Sequence, residues 1–186
     1  MLETRVYLLR GMSGSGKSTF IEKYLKPRFD HLEVLSADRF FADESGAYNF
    51  DAEYLSEAHN ACYKSYKEAL EAQFERFQNE TKYRDMRRSA IVVDNTNLEM
   101  YEIAPYFMEA QTIGAFPEIL SFGFWGTVND HLSRQVHGLK LHSLERQWEK
   151  LAQTTYPPHW KPYVIAVRPT KDKFVWRCVA PLMSLN

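Results

Sequence analysis

The chain has 186 residues, the length of one ordinary domain, and its 45% hydrophobic and 15% aromatic content can build a full core. Lys and Arg total 23 against 24 Asp and Glu, a net charge of -1, so no global basic field marks a nucleic-acid binder and only local patches remain open. No apolar run approaches the ~18 residues of a membrane span.

The elements come in alternation. Val6-Tyr7-Leu8-Leu9 is a short apolar run of the kind a buried parallel strand shows. Directly after it stands Gly11-Met12-Ser13-Gly14-Ser15-Gly16-Lys17-Ser18, which fits G-x-x-x-x-G-K-[ST] and is followed by Thr19. In such a loop the backbone N–H groups of Ser13 to Lys17 wrap the β-phosphate of a nucleotide. Lys17 bridges β- and γ-oxygens, and the Ser18 hydroxyl holds Mg²⁺. Phe20, Ile21, Tyr24 and Leu25 then share one helical face until Pro27 ends it. Strand, glycine loop and helix together form the context that a nucleoside-triphosphate site requires.

Leu32 to Ser36 reads as the second strand, and Asp51 as the N-cap of a long helix reaching about Asn79. Within it Leu55, Ala58, Cys62, Tyr66, Ala69 and Phe77 keep a core-facing spacing. Ala90 to Val93 is a third strand. Thr96 and Glu99 suggest a capping box before the next helix, which Pro105 should kink or restart. Glu118 to Phe122 is a fourth strand. Leu144, Trp148 and Leu151 mark a later helix, and Tyr163 to Val167 a fifth strand. Phe174 to Val179 alternates well enough to pair with that strand across residues 169–172. The expectation is one α/β domain over residues 1–186. It has a five-stranded, mostly parallel sheet flanked by helices, a lid near 126–142 and C-terminal strands near 163–180.

In an open parallel sheet, ligands lie beyond the carboxyl ends of the strands. The segments there are Ser36-Ala37-Asp38-Arg39 and Asp94-Asn95-Thr96-Asn97. Asp38 is the general-base candidate, able to take a proton from an acceptor hydroxyl; the competing use is a cap on the following turn. Asp94 ends an apolar strand and suits Mg²⁺ held through water, or else a turn hydrogen bond. Arg39, Asn95 and Asn97 are candidate substrate contacts, while Thr96 reads as a cap. Arg134 lies in the polar stretch Asp130 to Gly138, where a lid arginine could neutralise a transferring phosphoryl group and a solvated helix face is the bland alternative. His137 beside Gly138 reads as a helix end. The remaining histidines, His31, His59, His131, His142 and His159, show no ligand spacing and give no zinc site. Arg84, Arg87 and Arg88 form a small basic cluster that suits surface or nucleic-acid phosphate. Cys62 and Cys178 have neither metal nor disulfide spacing and read as buried thiols of a reducing, cytoplasmic protein, as does the lack of a signal-like apolar core at the N-terminus.

Taken in order, Arg10 to Thr19, Leu35 to Phe41, Tyr48-Asn49-Phe50-Asp51, Val92 to Asn97 and Arg134-Gln135-Val136-His137-Gly138 resemble the polynucleotide-kinase-like P-loop kinases. The resemblance is strongest to the branch like NEDD4-binding protein 2 and covers roughly residues 5 to 150. It implies a kinase-type P-loop fold working with ATP and Mg²⁺, with Asp38 as general base and Arg134 on the ATP phosphates. It also places the acceptor beside the second strand and the long helix. The chain departs from the pattern in having Arg39 where the branch carries a second acidic residue. It also has Phe41 where phage-type polynucleotide 5′-kinases place an acceptor-binding arginine, and Asn95 where they place an aspartate. An adenine-side role for Arg168 or Thr170 follows from position alone.

These readings converge on an ATP-dependent kinase whose favoured acceptor is a nucleic-acid 5′-hydroxyl, DNA or RNA. The alternatives are a kinase for a sugar, nucleoside or antibiotic-like hydroxyl, and a nucleotide-binding ATPase module without an acceptor.

Overall fold

The computed structural model describes residues 5–42, 48–79, 88–123, 125–136, 138–170 and 173–178. Among the described residues six strands form one sheet: β1 (Arg5–Arg10), β2 (His31–Leu35), β3 (Ser89–Val93), β4 (Phe116–Phe122), β5 (Val164–Pro169) and β6 (Phe174–Cys178). Their order is β2-β3-β1-β4-β5-β6. The first five are parallel, and β6 returns antiparallel to β5, pairing Pro169 with Phe174 and Ile165 with Cys178. The sheet is thus the expected one with the terminal alternating segment added as a sixth strand.

Both faces of the sheet are covered, which is why β1 reads as an unbroken apolar run. Val6 and Leu8 pack toward one core, and Tyr7 and Leu9 toward the other, as a two-residue period demands. On the first face lie α2 (Leu55–Asn79) and α3 (Met100–Thr112), contributing Ala58, Cys62, Tyr66, Ile103 and Phe107. The second face is covered by α1 (Lys17–Phe20), whose path continues through a π-helical turn, Ile21–Leu25, and a 3-10 turn, Lys26–Arg28. Phe20, Ile21 and Leu25 pack there, as their spacing predicts, and the turn containing Pro27 ends the segment. Two further helices, α4 (Val128–Leu132) and α5 (Leu141–Gln153), pack beside the glycine loop through Leu144, Leu151 and Met12.

Two local expectations change. Asp51 does act as an N-cap, its carboxylate accepting from Glu53 N–H at 3.0 Å, but of the 3-10 turn Ala52–Tyr54 that leads into the long helix. Thr96 does not cap α3. Asn97 takes a left-handed φ of 45°, which no helix start accommodates, and the cap moves to Glu99, whose N–H donates to the Glu102 carboxylate at 2.8 Å. Pro105 does not restart α3, which runs through it from Met100 to Thr112. Of the basic cluster, Arg84 and Arg87 lie outside the described residues, as does His137; Arg88 holds the start of β2, its carbonyl accepting from Asp30 N–H.

Candidate active site

The glycine loop follows β1 at the carboxyl edge of the sheet. Two of its glycines have no alternative. Gly14 has φ 74°, and a Cβ there would collide with the backbone carbonyl oxygen of His131 at the end of α4. Gly16 has φ 93° and faces the Phe174 ring, so a Cβ would sit 3.0 Å from Cζ. The loop is therefore pressed between α4 and β6. Lys17 folds along it, with Nζ donating to the carbonyls of Gly11 at 2.9 Å and Met12 at 3.0 Å. Burial lowers the Lys17 pKa, and the nearby Asp94 and Asp38 carboxylates oppose that shift. Ser13 differs from the expected loop geometry. Its N–H donates to Gln147 Oε1 of α5 at 2.9 Å, so this amide is committed to the protein rather than to a phosphate.

Ser18 and Asp94 meet at the cleft floor, the hydroxyl donating to Oδ2 at 3.0 Å. The Asp94 carboxylate thus reaches the glycine loop from the end of β3. Two oxygens at this separation beside a lysine are the hard-donor type that suits Mg²⁺. The rest of the turn is structural. Thr96 carbonyl accepts from Gly11 N–H at 2.8 Å, and Asn97 Nδ2 donates to Leu9 carbonyl at 2.8 Å. Asn97 is 2% exposed, which corrects its reading as a substrate contact: it braces the end of β1. Asn95 lines the cleft, but its side chain is also held, accepting from Ala37 N–H at 2.9 Å and donating toward Cys62 Sγ at 3.6 Å. This pair of contacts ties the β3 turn to the turn after β2.

Asp38 lies on that second turn, the 3-10 segment Ala37–Phe41. Ser36 caps this turn, its Oγ accepting from Asp38 N–H at 3.2 Å. Asp38 is exposed toward the cleft, and Oδ1 accepts from the Tyr48 hydroxyl at 3.2 Å. Burial and the adjacent Asp38 charge push the Tyr48 phenol up to about 12, so it remains a donor at neutral pH. Arg39, on the same turn, lines a smaller hollow of about 300 Å³ shared with Ser18, Asp94 and Lys26.

Arg134 follows α4. Its guanidinium lies 4.2 Å from the centre of the Trp125 ring, a cation–π contact, and both side chains line the main cleft. That cleft has a volume of about 500 Å³, within the range of small-molecule sites. It brings together the glycine loop, Asp38, Asp94, Asn95 and Arg134. At its far end stand Tyr24, Pro169, Thr170, Lys173 and Phe174; of Arg168 and Thr170, both exposed, Thr170 is among the lining residues. Sequence reasoning missed Trp125, Gln147 and Phe174. Only Tyr48 had a readable signal, a run of aromatics within a dozen residues of Asp38.

The geometry agrees with what the chain is similar to. Residues 6–123, well over half of it, match the family described as AAA domain. Human NEDD4-binding protein 2 is 38% identical over 104 residues, which is 56% of this chain and 5% of that protein. The chain thus corresponds to a small part of this curated relative. Among solved structures, one from the Pnkp1/Rnl/Hen1 RNA repair complex superposes with a TM-score of 0.60 at 17% identity, covering 83% of this chain and 46% of that one. The Mycobacterium tuberculosis APS kinase CysC, in complex with AMPPNP and APS, gives 0.53 at 15% identity, covering 93% and 91%. The chain belongs to the AAA-domain family, and its fold is that of the polynucleotide-kinase-like P-loop kinases.

Proposed function

We propose that this protein is an ATP-dependent kinase that transfers the γ-phosphate to an acceptor hydroxyl, and that the acceptor is the 5′-hydroxyl of a nucleic acid. One observation carries the reading: a nucleotide-phosphate loop and a carboxylate not needed for nucleotide binding, Asp38, line the same cleft. A simple nucleotide-binding module has no use for Asp38 at that place. A kinase needs it to take the acceptor proton while holding the oxygen in line with the γ-phosphate.

In this mechanism Lys17 and the amides of Gly14, Gly16 and Lys17 hold the β- and γ-phosphates. Ser18 and Asp94 would hold Mg²⁺, which neutralises phosphate oxygens when bound. Asp38, oriented by Tyr48, accepts the hydroxyl proton. Arg134 closes over the transferring group from the lid, where its charge counts most in the transition state. Arg39, on the same turn as Asp38, is the candidate contact for a phosphate of the acceptor. The nucleic-acid acceptor is supported by the similarity to NEDD4-binding protein 2 and to a structure from an RNA repair complex.

The net charge of -1 and Phe41 in place of an arginine favour, as a second reading, a kinase for a small hydroxyl compound. Incubation with γ-labelled ATP and 5′-hydroxyl DNA, 5′-hydroxyl RNA or a metabolite pool separates the two. Label on an oligonucleotide is the expected result. Label only in the metabolite pool removes the nucleic-acid reading, and hydrolysis with no labelled acceptor removes the kinase reading.

A further inference from the structure

The surface beside Asp38 is aromatic. Phe40, Tyr48 and Phe50 are 47%, 37% and 49% exposed, although single exposed apolar residues are usually scattered. These three converge on Phe41, which is buried. Ring centres lie 5.4 Å from Phe41 for Phe40, 5.0 Å for Phe50 and 6.2 Å for Tyr48. Tyr48 and Phe50 are close to parallel, at 15°. The backbone fixes this arrangement: Asn49 N–H donates to Phe41 carbonyl at 2.8 Å, and Ala42 bridges to Tyr48. The platform also touches the chemistry directly, through the Tyr48 hydroxyl on Asp38 Oδ1.

Such a set of rings recognises a flat π-face. A nucleobase has one, whereas a sugar, a phosphate or an alkyl chain does not. The distance argument narrows this further. The Tyr48 hydroxyl is 3.2 Å from Asp38 Oδ1, so an acceptor hydroxyl bonded to Asp38 lies beside the Tyr48 side chain, and the base nearest the platform is that of the nucleotide carrying the hydroxyl. A base stacking there has to leave its own stack, which costs least when it is already unpaired.

Resting on the kinase reading above, we infer that the Tyr48–Phe50 platform stacks the unpaired 5′-terminal base of a single-stranded acceptor, holding its 5′-oxygen at Asp38. Stacking then supplies affinity that a chain of net charge -1 does not draw from a global basic field. Acceptor binding accordingly depends weakly on salt.

The test compares three 5′-hydroxyl oligonucleotides: one with a normal first base, one with an abasic first nucleotide, and one whose 5′ end is recessed in a duplex. For the unmodified protein the abasic and recessed ends raise the acceptor KM roughly 10- to 100-fold. Phe50→Ala raises the KM of the normal oligonucleotide by a similar factor and leaves ATP affinity alone. With the abasic oligonucleotide the variant adds no further loss, because the partner is already gone. Equal kcat/KM for normal and abasic ends overturns the platform while leaving the kinase reading intact. So do additive losses. Absence of label on all three oligonucleotides overturns the nucleic-acid acceptor itself. The comparison within the unmodified protein decides the matter even if Phe50→Ala fails to fold.

Discussion

Gln147 reaches from α5 to the glycine loop, where its side-chain oxygen accepts the Ser13 N–H at 2.9 Å across a separation of 134 residues. Its amide nitrogen stands 3.5 Å from Ser13 Oγ. The loop is thus held from behind by α5, the helix that follows α4. Replacing Gln147 by Leu leaves the Ser13 amide without this acceptor, at a cost of about 1 kcal/mol for a half-buried group. The expected thermal midpoint falls by roughly 2–4 °C. Differential scanning fluorimetry checks this, and saturating ATP should recover part of the shift. An unchanged midpoint would show the contact to be incidental.

Asp38→Asn keeps the size of the side chain and removes its basicity. Single-turnover transfer should fall about 10²-fold or more, with ATP binding preserved. Retained transfer removes Asp38 as the base. Tyr48→Phe is the companion variant: it keeps the ring and deletes the hydrogen bond to Asp38, so a smaller rate loss is expected than from Asp38→Asn.

Much of this site could be read from the chain because its parts are local. The glycine loop carries its own pattern, and strand-end carboxylates follow from an alternating α/β order. What could not be read depends on contacts between distant segments. Asn97 looks like a polar turn residue, but it is buried because Leu9, 88 positions away, presents a carbonyl to it. Thr96 followed by Glu99 matches a capping box. The pattern fails because the Thr96 carbonyl is drawn to Gly11 N–H and Asn97 turns left-handed. Trp125 could not be singled out, since only the fold brings it against Arg134. Residues that touch the phosphate are legible by type and spacing, and those that hold them in place are not.

Asp94→Asn tests the oxygen pair at the cleft floor. The amide can still accept from Ser18, so the fold should persist, while the charge that suits Mg²⁺ is lost. Mg-ATP should bind roughly 10- to 100-fold more weakly, and the gap between binding with Mg²⁺ and with EDTA should narrow. Isothermal titration in both buffers measures this. Equal Mg²⁺ dependence in the two proteins would take Asp94 out of the metal site.

Arg134 and Trp125 form a pair whose members have different roles. Arg134→Ala should lower kcat by about 10²- to 10³-fold, in keeping with loss of a group that stabilises transition-state charge. Arg134→Lys keeps the charge but not the planar guanidinium and should recover only part of the rate. Trp125→Phe preserves an aromatic face and should change kcat little; Trp125→Ala should fall between. Turnover indifferent to Arg134→Ala would instead fit a nucleotide-binding module.

His131 should make the junction between α4 and the glycine loop sensitive to acid. It is buried, with Nε2 3.2 Å from the Trp125 carbonyl and its ring 4.7 Å from the Trp125 ring. Burial lowers its pKa below the ordinary histidine value. The backbone groups of Trp125 and Ser13 oppose the shift, and the positive charges of Arg134 and Lys17 add to it. A histidine with a lowered pKa binds fewer protons in the folded protein than in the unfolded one. Its stabilising contribution is therefore full above the unfolded value, near 6.5, and is lost as pH falls through the lower folded value. Thermal midpoints recorded from pH 8 to pH 5 should decline across that window. His131→Phe, which cannot take up the proton, should flatten this part of the decline. If the two proteins trace parallel curves, the acid sensitivity lies elsewhere in the chain.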